Sequence, residues 1–337
     1  MTIASVSDLS QSLQLRRDNA SLRASLLEAT RELSTGRRDN LLDRFAGDFA
    51  PLSDIEVGLK RAESFLNNIS EQRLRYGAAQ SALGTVREIS EQIAGSLILV
   101  QETADADLVR NAGRDALARF ETVVATLNIS VAGATLFAGV ASDGPAFAQA
   151  ETILSALEAE IAVAGAATSD DVAMVVSTWF AAGGGFDTVA YLGGSRASNG
   201  LPVSETSEAN PLATAADPAM RDVLGALAMS ALVGRGTLDG DPDEQARLAR
   251  ASGLKVMTAD EGLVELMADI GTQEGRVARA EVETRARREA LEMARNDLIG
   301  VDPYDAATRL RATETQLESL YAMTARLSRL SLTAYLR

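Results

Sequence analysis

Apolar residues recur at alternating intervals of four and three near both ends of the chain, through Leu15, Leu22, Leu26, Ala29 and Leu33 at one end and Leu310, Leu317, Leu320 and Leu327 at the other. This spacing returns each residue to the same side of an α-helix, so both ends predict long amphipathic helices with a coiled-coil seam. The amino-terminal seam carries one polar position, Asn19, and closes at Gly36, which supplies the left-handed residue that a helix C-terminus favours. The carboxyl-terminal pattern opens at "GVDPYD", with a helix expected from Asp302, and continues through Tyr335 and Leu336. Apolar positions held in register over such lengths need a partner, in this chain or in another.

Further helices are expected over about 53–98, 105–127, 151–164, 219–232 and 262–298. "SVAGATLFAGVASDGPAF" breaks the helical period with Gly133, Gly139, Gly144 and Pro145, as a hairpin or turn-rich segment would. From about 144 to 218, small residues and Gly clusters such as "AAGGGFDTVAYLGGSRASNG" take over. The expected fold class is mainly α: long amphipathic terminal helices forming a coiled coil or helical rod, with a central irregular or β-containing outer insert. The expected division is a terminal coiled-coil domain from 1–42 and 300–337, a helical rod domain from 43–139 and 219–299, and an outer insert domain at 140–218.

A magnitude bears on whether the ends stand alone. Each buried seam leucine contributes about 1.5–3 kcal/mol, whereas ordering a helix costs roughly 1–2 kcal/mol per residue in backbone entropy before its hydrogen bonds are counted. One thin pair of terminal helices is therefore marginal, and full order of the ends is expected only on assembly.

Composition narrows the partners. Aromatic residues make up only 4% of the chain, which disfavours sandwiches and barrels. The net charge of -15 makes a nucleic-acid groove or an anionic membrane surface a poor match, since phosphate binding needs concentrated Lys and Arg. The basic run at Arg285, Arg287 and Arg288 is flanked by Glu281, Glu283, Glu289 and Glu292, which suits a solvated helix face with i, i+4 ion pairs. Residues 141–240 hold Arg196, Arg221 and Arg235 against twelve acids, so much of the negative charge lies there.

The chain contains no Cys and no His, which removes disulfides, thiolate chemistry, the usual zinc sites and a histidine base. Asp239, Asp241 and Asp243 in "DGDPDE" hint at a calcium loop, but Glu244 and Arg250 stand where an EF-hand needs Gly and Glu. The Gly clusters at 183–185 and 193–194 match neither the P-loop nor the dinucleotide fingerprint. No catalytic, cofactor-binding or metal-ligating residue is expected, and the chain does not read as an enzyme. The amino end lacks the basic and apolar segments of a cleaved signal peptide.

Three segments carry a resemblance. "LLEATRELSTGRR" is similar to the leucine, Ser/Thr, Gly, basic motif of the flagellin family, "ATLFAGVASDGPAF" to its Leu-Phe-Ala/Ser-Gly segment, and "DPYDAATRLRATETQLESLYAMTARLSRLSLTAYL" to its terminal helix. The family includes hook-filament junction proteins, which the ending "LSLTAYL" resembles more than it does filament flagellins. One departure is "DNLLDRFAGDFAPLSD", which stands where the family commonly has an Asp/Pro-rich stretch. The resemblance implies a structural axial protein of the bacterial flagellum joining hook to filament. It would be extracellular, exported through the flagellar secretion apparatus without a cleaved signal, and would need no cofactor. Implied partners are other copies of the chain, hook-associated proteins, flagellin, and an export chaperone at the carboxyl-terminal helix, with no nucleic acid and no membrane. Filament flagellin and a generic coiled-coil structural protein stay open as alternatives. The expected assembly interface is Leu15, Leu22, Leu26, Leu33, Leu310, Leu317, Leu320, Leu327 and Tyr335.

Overall fold

The computed structural model describes the backbone of residues 3–40, 45, 47–100 and 106–335, and the side chains of these except at 3–9, 11, 12, 100 and 327–335. Helices dominate: α1 (Ile3–Thr35), α2 (Ala50–Val100), α3 (Ala106–Leu127), α4 (Ala150–Ala164), α5 (Ser169–Phe180), α6 (Pro218–Gly234), α7 (Pro242–Ile299) and α8 (Pro303–Tyr335). Two small antiparallel hairpins lie in the middle of the sequence, β1 (Ser130–Val131) with β2 (Ala134–Thr135) and β3 (Leu201–Pro202) with β4 (Glu208–Ala209). This is the expected class: mainly α, with long helices at the chain ends and the two small hairpins in the middle. The chain divides into two compact units, residues 1–63 with 286–337, and residues 64–285.

The second unit is built around α6. From Val223 to Val233 every residue of α6 is buried, so the helix is apolar on all sides and serves as a core rather than a surface element. Its one hydroxyl in that run, on Ser230, donates to the Ala226 carbonyl at 3.0 Å, so no polar group there is orphaned. α6 starts where Asp217 accepts a hydrogen bond from the Ala219 N–H, with Pro218 in the first turn. It crosses α3 where two glycines meet: a Cβ on Gly113 would stand 2.6 Å from the Gly234 nitrogen, and one on Gly234 would stand 2.2 Å from the Gly113 carbonyl oxygen. The apolar core continues from Ile69 and Phe120 through Phe147, Leu154 and Phe186 to Val277.

The segment expected to be mostly irregular contains α5 as well as α4. Thr168 caps α5 through a reciprocal box: its hydroxyl accepts from the Asp171 N–H, and the Asp171 carboxylate accepts from the Thr168 N–H. α7 likewise starts at Pro242, some twenty residues before the expected 262. The acids that hinted at a calcium loop account for this start, because the Asp241 carboxylate accepts from the N–H groups of Asp243 and Glu244 at 3.1 and 3.2 Å and so caps the helix. Among the described residues no group of three or more acids is placed to hold a metal ion. The β1–β2 turn fits the expected hairpin, with Ala132 (φ 52) and Gly133 (φ 81) both in the left-handed region that a two-residue turn demands. The basic run on α7 is laced as expected, with Arg285 pairing Glu281 and Arg288 pairing Glu292.

In the first unit, α1 packs along α8, and the start of α2 meets the end of α7. Gly58 lets that second contact close, since a Cβ there would sit 3.0 Å from Leu291 Cδ1, and Glu56 and Arg295 form an ion pair at 3.8 Å beside it. α2 begins at Ala50, whose N–H donates to the Asp48 carboxylate at 3.0 Å; the expected start near residue 53 lies one turn further on.

Gly113→Ala is expected to destabilise the protein by about 1–3 kcal/mol, because backbone must move to admit the methyl group. Ala132→Asn should stabilise it by roughly 0.5 kcal/mol, since Asn tolerates the left-handed region better than Ala does. Urea unfolding of the two variants should therefore move the midpoint in opposite directions.

Candidate assembly interface

Two turns far apart in sequence meet at one end of the α1–α8 pair. Gly36 ends α1 with φ 66, and its N–H donates to the Glu32 carbonyl at 2.8 Å, fulfilling the expected left-handed cap. The chain beyond it pairs antiparallel with the elbow between α7 and α8. Arg38 N–H donates to the Ile299 carbonyl at 2.9 Å, Val301 N–H donates to the Gly36 carbonyl at 3.1 Å, and Arg37 faces Gly300 across a β-bridge. Gly300 is sterically required there, because a Cβ would lie 2.3 Å from the Asn296 carbonyl oxygen. Asp302 then caps α8 by accepting from the Tyr304 N–H at 2.8 Å, with Pro303 as its first residue. The motifs ending in "STGRR" and beginning "GVDPYD" are thus the two halves of one joint.

Polar side chains fix the register of α1 on α8. Glu32 is buried at 3% exposure, an uncommon place for a carboxylate without partners. One of its oxygens accepts the Asp39 N–H at 3.3 Å, and the other lies 2.7 Å from the Arg309 guanidinium in an ion pair. Arg31 holds Asp39 from the other side at 3.0 Å. Further along, Arg23 Nε and Nη2 donate to the Tyr321 hydroxyl at 3.3 and 3.0 Å. That guanidinium, with Asn19 contributing a further hydrogen bond, lowers the Tyr321 pKa below its ordinary value. Asn19 is the polar position of the amino-terminal seam, so it is where the periodic pattern points to this contact. Nothing in the periodicity points to Glu32 with Arg309, since both sit outside the leucine series.

The seam leucines are only partly covered. Leu15, Leu22, Leu26, Leu310, Leu317 and Leu320 are half-buried, and Leu33 is exposed at 40%. Leu327 and Tyr335 belong to α8, but their side chains lie outside those described. Among the described side chains of α1 only Ala29 and Glu32 are fully buried, and at the facing end Ile299, Val301 and Ala306. Leu13, Leu27, Tyr304 and Met323 stand exposed at 50–78% on the same helices. Covering the remainder of one half-buried leucine is worth roughly 1 kcal/mol, so a second surface laid on this pair has a substantial apolar reward to gain.

The architecture is mainly helical, with the first and last helices of the chain paired. Residues 255–336 match the sequence family described as the bacterial flagellin C-terminal helical region. The fold is shared with a protein of Vibrio parahaemolyticus assigned as a flagellar hook-associated protein, at a TM-score of 0.55 and 12% identity, over 75% of this chain and 99% of that one. It is shared also with Bacillus cereus FlgL, at a TM-score of 0.50 and 11% identity, over 72% of this chain and 100% of that one. No curated protein matches the sequence. The carboxyl-terminal quarter therefore matches a flagellin C-terminal helical region, in a chain whose fold is shared with these two proteins. No helix among the described residues is long and apolar enough to cross a membrane.

Removing one partner of the buried pair should cost more than removing both. Arg309→Ala leaves the Glu32 charge uncompensated and is expected to cost about 2 kcal/mol, less than a wholly dry pair because the guanidinium is half exposed. The double variant Glu32→Met with Arg309→Met should recover most of that loss, which thermal unfolding followed by circular dichroism would register.

Proposed function

We propose that this chain is an axial structural protein of the bacterial flagellum that joins the hook to the filament. The observation that carries the proposal is a terminal helix pair with its joint locked and its leucine seam left half open, in a chain that carries the flagellin C-terminal region. Copies of the chain bury the rest of the seam against one another through Leu15, Leu22, Leu26 and Leu33 of α1 and Leu310, Leu317, Leu320, Leu327 and Tyr335 of α8. Polar contacts of the kind made by Glu32, Arg309, Arg23 and Tyr321 then suit register better than affinity, because a partly buried ion pair adds little net stability yet penalises misalignment.

In this proposal the terminal domain (1–42 and 300–337) forms the inner wall of a tube, the rod (43–139 and 219–299) surrounds it, and the insert (140–218) faces outward. The neighbours are other copies, hook-associated proteins on one side and flagellin on the other. Passage to the cell exterior is through the flagellar secretion apparatus, with a chaperone holding α8 until assembly. The absence of cysteine is compatible with export as an unfolded chain. Filament flagellin is the second reading, favoured by the same C-terminal region, which is described for flagellins.

Immunogold microscopy with antibody raised against residues 144–218 separates the two. Label confined to a short band where hook meets filament is expected; label along the filament would make the chain a flagellin, and unlabelled flagella would remove both readings. Leu320→Asp should abolish incorporation while leaving the 64–285 unit folded, because it places an unpaired charge in the closing seam. Normal incorporation of that variant would take Leu320 out of the interface.

A further inference from the structure

The second unit contains a cavity of about 360 Å³ that the assembly account does not use. It opens between the end of α5 with the turn after it, the first half of α6, and a single residue of α7, Lys255. Its walls are largely apolar, from Val176, Phe180, Ala216 and Pro218, and two cations, Arg221 and Lys255, and one acid, Asp222, reach it. Its volume falls within the range of small-molecule sites, which combine such walls with a few placed polar groups.

The two cations differ in what they have left to give. Arg221 is spent on the protein: its Nε donates to the Ala216 carbonyl at 2.8 Å, Nη1 reaches the Phe180 and Ala181 carbonyls, and Nη2 pairs with Asp187. The guanidinium also lies 4.4 Å from the centre of the Phe186 ring. Lys255 makes one hydrogen bond, from Nζ to the Ser177 hydroxyl at 2.6 Å, and no carboxylate of the described residues comes within ion-pair distance of it. Two of its three N–H donors remain, and Ser177, having accepted, keeps its own hydroxyl proton to donate. Burial lowers the Lys255 pKa, opposed by the more distant Asp222 carboxylate. Lys60 and Lys255 are the only lysines among the 32 basic residues, so the ammonium here is an exception in an arginine-rich chain. The Lys255 ammonium is a compact point charge on a flexible stem with rotatable donors, unlike the rigid guanidinium fork of the arginines.

We propose that this cavity binds a small organic acid, its carboxylate taken by the Lys255 ammonium and the Ser177 hydroxyl and its apolar body laid against Phe180, Val176 and Pro218. A half-buried ammonium with two free donors, beside Asp222 but in ion-pair contact with no described carboxylate, is the feature the ligand completes. Binding is non-covalent and leaves the acid unchanged.

The test uses the full chain labelled with 13C at the lysine ε-carbons, which gives two lysine signals, Lys255 as the reporter and Lys60 as the internal control. Titration with sodium benzoate at neutral pH should shift the Lys255 signal saturably, with a Kd on the order of 1 mM, and leave Lys60 in place. Benzamide, with the same ring and no charge, should shift it at least about tenfold more weakly. Quenching of Trp179, the only tryptophan, whose ring lies 4.9 Å from that of Phe180, gives an independent readout. By that readout Lys255→Met should weaken benzoate binding about tenfold or more. No saturable shift, an equal shift at Lys60, or an equal response to benzamide would overturn the proposal. The wild-type titration decides even if the variant fails to fold.

Discussion

The first unit depends on a joint between two turns, the Gly36 turn that ends α1 and the Gly300 elbow that starts α8. Backbone hydrogen bonds from Arg38 to Ile299 and from Val301 to Gly36 tie the two together, and neither glycine could be replaced without strain or collision. Once the joint is set, α1 and α8 must run side by side, and the pairs Glu32–Arg309 and Arg23–Tyr321 decide which turn faces which. The leucine seam supplies apolar area but not a unique alignment, because a heptad-like pattern shifted by one repeat presents nearly the same face. Register of α1 on α8 therefore rests on polar groups, while the half-covered leucines leave apolar area to spare.

This separates the chain into parts with different thermodynamic character. The 64–285 unit closes its own core: α6 is buried from Val223 to Val233, and the Gly113–Gly234 crossing brings backbone to backbone. Arg235, just past the end of α6, is held by Glu151 and Glu158 of α4, which push its pKa up and fix how α4 lies beside α6. The α1–α8 pair, by contrast, leaves most of its seam half covered. A chain built this way has a self-sufficient body and ends that leave apolar surface for a further partner to cover.

Much of this was legible in the sequence where the signal is local. The three-and-four spacing through Leu15 to Leu33 and Leu310 to Leu327 marked the terminal helices, Gly36 marked the end of α1, Asp302 and Pro303 marked the start of α8, and "SVAGAT" marked a hairpin. Misses arose where two local signals competed. The Gly-rich, small-residue composition of 144–218 outweighed the Thr168–Asp171 capping box, so α5 was not expected, and acids spaced like calcium ligands hid the N-terminus of α7 at Pro242. The Arg23–Tyr321 contact spans 298 residues of sequence, and no periodicity within either helix encodes which turn of the partner it will meet.

On the proposed function, assembly completes the burial of the α1–α8 seam. Amide hydrogen exchange followed by mass spectrometry, comparing free and assembled protein, addresses it directly. Peptides covering 13–33 and 310–327 should gain protection of at least about tenfold on assembly, equivalent to roughly 1.4 kcal/mol, while those from α6 stay unchanged. Equal exchange of the terminal peptides in both states would contradict the claim, and would mean that subunits associate through some other surface.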